Sequence, residues 1–335
     1  TGPLGQGLAN GVGMAIAEKR LAAEFNRSGH EIIDHYTYVF VGDGCLMEGI
    51  SHEACALAGK LGLGKLIVVW DDNDVSIDGK ASDWMEQDPA ARFASYDWQV
   101  IPEIDGHNSD AIQAALKQAQ QDVERPTLLC CRTEIGHGSP NKVNSAAAHG
   151  SPLGAEEVAL SRQALDWQYP PFEIPQNYYD AWDAKEQGAT RQQQWQQQYQ
   201  AYEQAYPDLA KELARRLNRQ LPADFTQTMA ELLQSAAAET KAVATRKANS
   251  TVLAEVGQIL PELFGGSADL SGSNCTVWPQ AKAFNRDNPS GNYLHYGVRE
   301  FAMTAIMNGI TLHGGFIPYG GTFLVFADYM RGSMR

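Results

Sequence analysis

Two apolar, strand-like runs constrain the fold of this chain more than any other feature. The first, Tyr36–Val41, ends at Gly42-Asp43-Gly44, and the second, Leu66–Trp70, ends at Asp71-Asp72-Asn73. The segment between them is rich in Ala, Leu and Gly and is long enough to form a helix. Two apolar strands joined by a helical crossover predict a βαβ unit with parallel pairing.

The ends of these two strands predict a ligand site. Ligands of parallel sheets bind beyond the carboxyl ends of the strands, so we expect Asp43 and Asn73 to lie side by side at one edge. The glycines around Asp43 let the backbone approach a ligand closely. Oxygen ligands suit a hard cation such as Mg²⁺, or Ca²⁺ as a substitute, and Mg²⁺ often shares its shell with phosphates. The two strand ends therefore predict a diphosphate that Mg²⁺ bridges to the protein.

Length, charge and cysteine content narrow the class of protein. A chain of 335 residues favours two domains over one. The net charge of −14 makes nucleic acid or an anionic membrane an unfavourable partner. There is no apolar run of 18 residues and no signal peptide, which predicts no membrane association. The five cysteines are an odd number without metal-type spacing, which is typical of a reduced, cytoplasmic protein.

The start of the chain mimics a dinucleotide-binding fingerprint. Gly5, Gly7, Gly11 and Gly13 lead into a helix-forming run, Met14–Phe25, but no strand precedes them in this sequence. We interpret these glycines instead as helix-packing positions and a loop that approaches a ligand. Because the sequence opens within a Gly-rich loop and stops after an apolar helix-like run, we expect a piece of a longer protein.

Two further strand-like runs extend the predicted sheet. Trp98–Ile104 and Thr127–Arg132 both end in loops that carry Gly, Asp, Asn or His. In a right-handed parallel sheet the four polar loops share one edge. The small and polar run Asn144–Gly154 predicts a surface flap that carries His149. Residues 168–183 hold proline and aromatic residues and predict an irregular surface segment.

The remainder of the chain predicts a long helix and then a second α/β unit. Apolar and aromatic residues recur at steps of three and four from Trp195 to Leu217, which indicates an amphipathic helix interrupted near Pro207. A Gln-rich, prion-like tract is the alternative interpretation of this region. The second α/β pattern begins at Arg246, and it places Glu300 in the first turn of a predicted helix, Val298–Leu312. By itself, an acid at that position is explained by the helix dipole.

Several motifs together give the chain a family resemblance. GDG, followed after 27 residues by Asp72-Asn73, resembles the diphosphate-binding motif of thiamine diphosphate enzymes. Further motifs extend the match, and with them nearly the whole chain resembles transketolase. They are TGPLGQG, IDGHN, GHGSPNK, AHGSPLG, ATRKA, GGSADLSGSN and HYGVREFAMTAIMNGI. The resemblance implies two doubly wound, parallel-sheet α/β domains of the thiamine diphosphate-binding type, the second incomplete. It places the diphosphate-binding domain at 1–205, a linker at 206–243 and the pyrimidine-binding domain at 244–335.

The resemblance also implies an activity. A transketolase transfers a two-carbon ketol unit from a ketose phosphate to an aldose phosphate, using thiamine diphosphate and Mg²⁺, and its sites lie at the subunit interface of a homodimer. Transfer to formaldehyde, as in dihydroxyacetone synthase, is one alternative. The other is a cofactor-binding fragment without turnover, because the family carries further site residues outside the present sequence. We therefore do not expect this chain to turn over alone.

The motifs that match the family assign roles to individual residues. The implied metal ligands are Asp43, Asn73 and the backbone carbonyl of Val75. The implied cofactor contacts are Gly2, Leu4, Gly44, Asp269, Phe323, Phe326 and Tyr329. The implied catalytic groups are Glu300, which hydrogen-bonds the pyrimidine ring, and His149. The implied sugar phosphate ligands are Arg246, Ser273 and His149. The implied interface residues are Glu48 and Glu53.

Overall fold

The computed structural model of the chain describes residues 2–85 and 88–335. Thr1, the first residue of the TGPLGQG motif, lies outside the described residues. The strands of the described residues are β1 Thr37–Gly42, β2 Leu66–Asp72, β3 Val75–Ser76, β4 Gly79–Lys80, β5 Gln99–Asp105, β6 Thr127–Arg132, β7 Leu263–Ser267, β8 Tyr293–His295 and β9 Ile317–Gly321.

Helices alternate with most of these strands. The α-helices are α1 Gln6–Phe25, α2 Asp43–Met47, α3 Gly49–Leu61, α4 Pro89–Ser95, α5 Ser109–Ala119, α6 Ala146–His149, α7 Ala155–Ala164, α8 Gln176–Trp182, α9 Lys185–Ala205, α10 Pro207–Leu217, α11 Phe225–Ala238, α12 Thr245–Ile259, α13 Ser271–Asn274, α14 Glu300–His313 and α15 Ala327–Met334. Short 3₁₀ helices span Ala81–Asp83 and Leu324–Phe326. In the described part of the chain, no helix has the length and apolar character needed to cross a membrane.

The first sheet has four strands in the order β1-β2-β6-β5, and all of its pairings are parallel. The four strands correspond to the four apolar runs, so the predicted βαβ unit and the shared edge of polar loops are confirmed. In the register of β1 and β2, Gly42 pairs with Asp71. Asp43, which follows β1, and Asn73, which follows β2, therefore leave the sheet next to each other.

The second sheet has three parallel strands in the order β8-β7-β9. Helix α12 precedes β7, and α14 connects β8 to β9. The predicted second α/β unit is confirmed, although α14 begins at Glu300 rather than at Val298. Arg299 is the residue before the helix, with a backbone conformation outside the helical region.

Helix α1 starts at Gln6, eight residues before the predicted start at Met14, because the glycines of its first half pack into close contacts. A Cβ atom on Gly11 would lie 2.4 Å from Val39 Cγ2, and one on Gly13 would lie 2.1 Å from the carbonyl oxygen of Ile306. The interpretation as helix-packing positions is confirmed for Gly11 and Gly13, whereas a Cβ on Gly7 would meet no neighbouring atom within 4 Å. The contact at Gly13 also brings α1 against α14.

Two segments carry more helix than their composition predicts. Residues 168–183 contain α8, whose residues are exposed and so show no buried face. Residues 206–243, predicted as a linker, contain α10, which the amphipathic pattern predicts, and α11, which it does not. Helix α10 buries Ala210 and Leu213 in the main core, and Arg216 of α10 pairs with Glu24 of α1 at 2.6 Å. Pro207 opens α10, which confirms the predicted interruption.

One core connects the two sheets. A continuous cluster of buried apolar side chains includes Leu8 of α1, Leu66 of β2, Phe264 of β7 and Ile306 of α14. The α1–α14 contact lies within this cluster. The positions of the two sheets are therefore fixed by packing and not only by the chain between them.

Candidate active site

Asp43 follows β1 and is the first residue of α2, at the carboxyl edge of the first sheet. Its side chain is buried, and Trp70 Nε1 donates a hydrogen bond to Oδ1 at 2.8 Å. Oδ2 is also buried and has no hydrogen-bond partner within residues 2–85 and 88–335. Burial raises the pKa of Asp43 above its ordinary value, and the nearby charges of Asp71, Asp72 and Asp74 act in the same direction. A buried carboxylate oxygen without a protein partner fits the role of a cation ligand.

Asn73, which follows β2, and Val75, which begins β3, lie close to Asp43. Asn73 Oδ1 accepts a hydrogen bond from the backbone N–H of Val75 at 3.0 Å, so the loop holds the amide in a fixed position. Both residues line a cavity of about 860 Å³. Asp72 forms an ion pair with Arg132 of β6 at 2.9 Å. Asp43 itself is not one of the residues that line this cavity. Carboxylate, amide and carbonyl oxygens are the ligand types that Mg²⁺ prefers.

The cavity beside Asn73 is acidic. Its lining includes the carboxylates of Asp72, Asp74, Glu103, Asp105 and Glu134 and the cations Lys80 and Arg132. A diphosphate group that entered this cavity would meet more negative than positive charge. Binding of such a group therefore depends on a cation between it and the protein.

Leu4 of the N-terminal loop lies beside Gly44, the residue that follows Asp43. The backbone N–H of Leu4 donates to the carbonyl of Gly2 at 3.1 Å, and Leu4 is 40% exposed. A Cβ atom on Gly44 would lie 3.0 Å from Leu4 Cδ1. The Gly-rich N-terminal loop thus presents an apolar side chain directly beside the GDG turn.

Glu300 is buried at the first position of α14. Thr322 Oγ1 lies 3.5 Å from Glu300 Oε1. Glu53 of α3 lies against the same helix start, where Oε2 accepts a hydrogen bond from the backbone N–H of Ala302 at 3.0 Å. Burial raises the pKa of Glu53. Two acids from different sheet units thus meet at one helix terminus.

Tyr329 lies close enough to this acidic pair to feel its charge. Desolvation and the nearby carboxylates of Glu300 and Glu53 raise the pKa of Tyr329 to about 12. Glu48 is exposed and precedes α3. A Cβ atom added to Gly5 would lie 2.9 Å from Glu48 Cβ. Glu48 therefore lies beside the N-terminal loop.

Arg246, Ser273 and Phe323 line a second cavity, of about 910 Å³, beside the second sheet. Phe323 is 44% exposed and stacks on Phe326 with ring centroids 6.1 Å apart. The ring of Phe326 lies 6.0 Å from that of Tyr329. The three aromatic residues form a continuous surface that borders a cavity with a guanidinium group and a hydroxyl group.

The structure does not bring all of the predicted site residues together. Asn73 and Val75 line the first cavity, whereas Arg246, Ser273 and Phe323 line the second. Among the described residues, His149 lines neither cavity and is exposed at the end of α6. Asp269 is exposed after β7, in a backbone conformation with φ +56°.

The sequence interpretation missed residues that hold the site in place. Trp70 orients Asp43, and Arg132 pairs with Asp72. Glu157 of α7 is buried and accepts hydrogen bonds from Ser139 Oγ, from Asn141 N–H at 2.8 Å and from Asn141 Nδ2 at 2.9 Å. These bonds fix the loop after β6. Glu157 belongs to a polar helix in which no pattern distinguishes it from Glu156.

Comparisons with known proteins agree with this architecture. Residues 1–222 match the family model described as transketolase, thiamine diphosphate binding domain, and residues 241–335 match transketolase, pyrimidine binding domain. Transketolase 1 of Vibrio cholerae is 55% identical, and transketolase 1 of Vibrio parahaemolyticus is 58% identical, over all 335 residues. The chain spans about half the length of these relatives, 50% in both cases.

Solved transketolase structures superimpose on almost the whole chain. The Pichia stipitis enzyme in complex with sedoheptulose-7-phosphate gives a TM-score of 0.92 at 41% identity and covers 99% of this chain and 50% of that one. The Leishmania mexicana enzyme gives a TM-score of 0.92 at 38% identity, covering 99% of this chain and 49% of that one. On the family-model match and the identity to these relatives, the chain belongs to the transketolase family.

Proposed function

We propose that this chain supplies the cofactor-binding residues of a transketolase, which transfers a two-carbon ketol unit from a ketose phosphate to an aldose phosphate. The observation that carries the proposal is the buried Asp43, whose Oδ2 has no partner in the described part of the chain and which lies beside Asn73 at the sheet edge. When bound, thiamine diphosphate supplies an electron sink for breaking and forming carbon–carbon bonds. The residues of the chain position the cofactor and substrates and exclude water.

The metal ligands in this proposal are Asp43, the amide oxygen of Asn73 and the backbone carbonyl of Val75. Mg²⁺ is the expected ion, and Ca²⁺ is a possible substitute, because the donor set contains only oxygen. Asn73 Oδ1 already accepts one hydrogen bond from Val75, and a carbonyl oxygen has a second lone pair for the ion. The ion would offset the acidic lining of the first cavity.

Glu300 is the proposed proton donor and acceptor for the pyrimidine ring. Its carboxyl group is buried at the start of α14, beside Glu53, where water does not compete for a hydrogen bond to the ring. Phe323, Phe326 and Tyr329 would provide the aromatic wall for that ring. Gly2, Leu4, Gly44 and Asp269 are the remaining proposed cofactor contacts.

Sugar phosphates are the proposed substrates, and the Pichia stipitis relative in complex with sedoheptulose-7-phosphate supports this choice. The guanidinium group of Arg246 can bind a phosphate through two parallel hydrogen bonds, and Ser273 supplies a hydroxyl in the same cavity. His149 would contact substrate oxygens from its flap. Because His149 lines neither cavity here, this role requires the flap to move or a second subunit to approach.

A homodimer accounts for the separation of the two cavities. If the cofactor lies between the first sheet unit of one subunit and the second sheet unit of another, the two groups of residues need not meet within one chain. Glu48 and Glu53 are the proposed interface acids. We also propose a cytoplasmic location and a division into 1–205, a connecting segment at 206–243 that docks α10 on α1, and 244–335.

Cofactor binding by the chain is the first test. Calorimetric titration with thiamine diphosphate in the presence of Mg²⁺ should show binding that Asp43→Ala weakens at least about tenfold, since a ligand of the ion is lost. Asp208→Ala, which removes an exposed carboxylate in the first turn of α10, should leave the affinity unchanged. Equal affinities for the parent and Asp43→Ala would refute the metal assignment.

Transfer activity needs a second test, because the relatives are twice as long as this chain. In a hybrid, the matching half of the Vibrio cholerae relative is replaced by this chain. Xylulose 5-phosphate and ribose 5-phosphate serve as substrates. We expect turnover that depends on thiamine diphosphate and falls about 10²-fold or more in Glu300→Gln. Preferential transfer to formaldehyde, or no turnover in a folded hybrid that binds the cofactor, would contradict the proposed activity.

A further inference from the structure

Three potential metal ligands converge at the carboxyl edge of the first sheet, apart from Asp43, Asn73 and Val75. His107 follows β5, and Glu134 and His137 follow β6. Their ligand atoms all lie within 4.8 Å of one another, and all three side chains are exposed. We propose that this His-Glu-His cluster binds a divalent transition-metal ion, with Zn²⁺ as the representative species. The proposal does not rest on the transketolase activity.

The backbone around the cluster is held in place before any ion binds. Strands β5 and β6 are parallel neighbours in which Asp105 pairs with Arg132, so both loops leave the sheet at the same point. His137 lies between Gly136 and Gly138, which have φ values of +68° and +84°. Its N–H donates to the carbonyl oxygen of Glu134 at 3.2 Å. This tight turn directs His137 back toward the end of β5.

The two imidazole rings are already side by side. The ring centroids of His107 and His137 are 4.1 Å apart, with an angle of 22° between the ring planes. Glu134 Oε2 lies 3.4 Å from His137 Nδ1, and Asn144 Nδ2 lies 3.3 Å from Glu134 Oε1. The Glu134 carboxylate thus lies between the imidazole of His137 and the side-chain amide of Asn144. Only small side-chain movements would bring three ligand atoms onto one ion.

The donor types determine which ions the cluster selects. Two imidazoles and one carboxylate match Zn²⁺ and other late first-row ions, and three protein ligands leave a position open to water. Mg²⁺ and Ca²⁺ prefer oxygen ligands, so they compete poorly. The electrostatic field at the cluster favours any cation. His107 and Glu134 line the first cavity together with four further carboxylates, those of Asp72, Asp74, Glu103 and Asp105.

An existing hydrogen bond limits the affinity. The backbone N–H of Glu134 donates to His107 Nε2 at 2.9 Å. A metal ion at Nε2 displaces this bond, and a metal ion at Nδ1 requires the ring proton to move to Nε2, which also breaks it. Protons also compete with the ion for imidazole nitrogen, so binding weakens as the solution becomes more acidic. We therefore expect an affinity of about micromolar order, below that of closed structural zinc sites.

The test is calorimetric titration of the complete chain with ZnCl₂ at neutral pH in a large excess of Mg²⁺. We expect His107→Ala and His137→Ala each to weaken Zn²⁺ binding at least about tenfold, within the range seen for perturbed metal sites. Glu134→Gln should have a smaller effect, because the amide retains one neutral oxygen ligand. His295→Ala is the matched control, since His295 is also exposed but lies outside the cluster. It should bind Zn²⁺ as the parent does.

Spectroscopy with Co²⁺ separates this cluster from the cysteines. Nitrogen and oxygen ligation gives visible d–d bands without the strong near-ultraviolet band of a thiolate complex, and the d–d bands should disappear in the His107→Ala, His137→Ala double variant. Circular dichroism confirms that the variants are folded. Unchanged Zn²⁺ affinity in both single histidine variants, or a thiolate band as the main Co²⁺ signal, would overturn the proposal.

Discussion

At the scale of single residues, two buried carboxylates show how hydrogen-bond donors decide the role of an acid. Asp43 receives one hydrogen bond, from Trp70, and burial raises its pKa. Glu157 receives three, from Ser139 and Asn141, and these bonds lower its pKa to about 2. A carboxylate with its oxygens occupied serves the structure, whereas one with a vacant oxygen can bind an ion.

Glu157→Gln should destabilise the chain at neutral pH, because a neutral amide accepts these hydrogen bonds more weakly than a carboxylate. The folded pKa of Glu157 lies below the unfolded value, so its contribution is present above about pH 4.5 and disappears as the pH falls toward about 2. Thermal unfolding should show a Tm a few degrees lower for the variant at pH 7, and the gap should close in acid.

Glu156→Gln provides the control for that measurement. Glu156 is the preceding residue of α7 but is exposed, so this change removes the same charge without removing the buried hydrogen bonds. Its Tm should match that of the parent at both pH values. A gap between Glu157→Gln and the parent that widens in acid would show that the assigned hydrogen bonds do not stabilise the charged form.

The sequence could predict some of these residues and not others. Asp43 and Asn73 were predictable because both follow strands that the apolar pattern defines, and parallel pairing brings strand ends together. Trp70 and Glu157 were not, because their partners come from other elements and their own positions fit ordinary strand and helix patterns. The sequence predicted that the loops after β5 and β6 share one edge, but it could not predict that His107, Glu134 and His137 converge, because their convergence depends on the tight turn between Gly136 and Gly138.

At the scale of elements, the contact between α1 and α14 depends on glycine. A Cβ on Gly13 would lie 2.1 Å from the carbonyl oxygen of Ile306, and one on Gly309 would lie 2.0 Å from that of Asn10. These obstacles are backbone atoms, which cannot rotate away as a side chain can. The two helices therefore approach each other as closely as their backbones allow.

Gly309→Ala should force α14 away from α1 and lower the free energy of unfolding by about 1–3 kcal/mol, the usual cost of overpacking a core. Denaturant titration measures the change. Gly188→Ala is the matched control, because Gly188 is an exposed glycine of α9 where an added Cβ would meet no neighbouring atom within 4 Å. That change should be neutral or stabilising by up to about 1 kcal/mol. Equal stability of the Gly309→Ala variant and the parent would mean that the helices can separate without cost.

The elements were more predictable than the contacts between them. Four strands of the first sheet follow from apolar runs that end in polar loops, and the interruption at Pro207 follows from the chemistry of proline. The start of α1 was misplaced because its glycines lower helix propensity, and tertiary packing overrides that preference. Helix α8 was missed because it buries no face and so leaves no periodic pattern.

At the scale of the whole molecule, contacts from residues far apart in sequence connect the two sheet units. The guanidinium of Arg286 donates to the carbonyl oxygen of Gly59 at 3.0 Å and to Asp97 at 2.8 Å. His35 Nε2 and His313 Nε2 lie 2.8 Å apart, and their rings are stacked with centroids separated by 5.0 Å. Because a hydrogen bond between two ring nitrogens needs one of them unprotonated, the histidine contact depends on pH.

The pair should make the stability of the molecule fall in mild acid. Desolvation lowers the pKa of both His35 and His313, with Lys65 acting in the same direction on His35 and Asp34 opposing it. His313 also faces His35, which lowers its pKa, and Glu18 and the carbonyl oxygen of Gly314, which raise it. The unfolded chain therefore binds more protons near pH 6.5, and the contribution of the pair is lost as the pH falls through the lowered folded values.

His35→Gln tests this by removing one ring while keeping a polar side chain. The variant should be less stable than the parent at pH 7.5, and the difference should narrow steadily as chemical unfolding is repeated toward pH 5.5. His295→Gln, which replaces an exposed histidine outside the pair, should follow the parent across that range. A constant difference between the His35→Gln variant and the parent would assign the pH dependence to other groups. Glu18 is one such group, but burial raises its pKa, so its titration acts in the opposite direction. A stability difference between the His35→Gln variant and the parent that narrows toward acid therefore identifies the histidine pair as the source of the pH dependence.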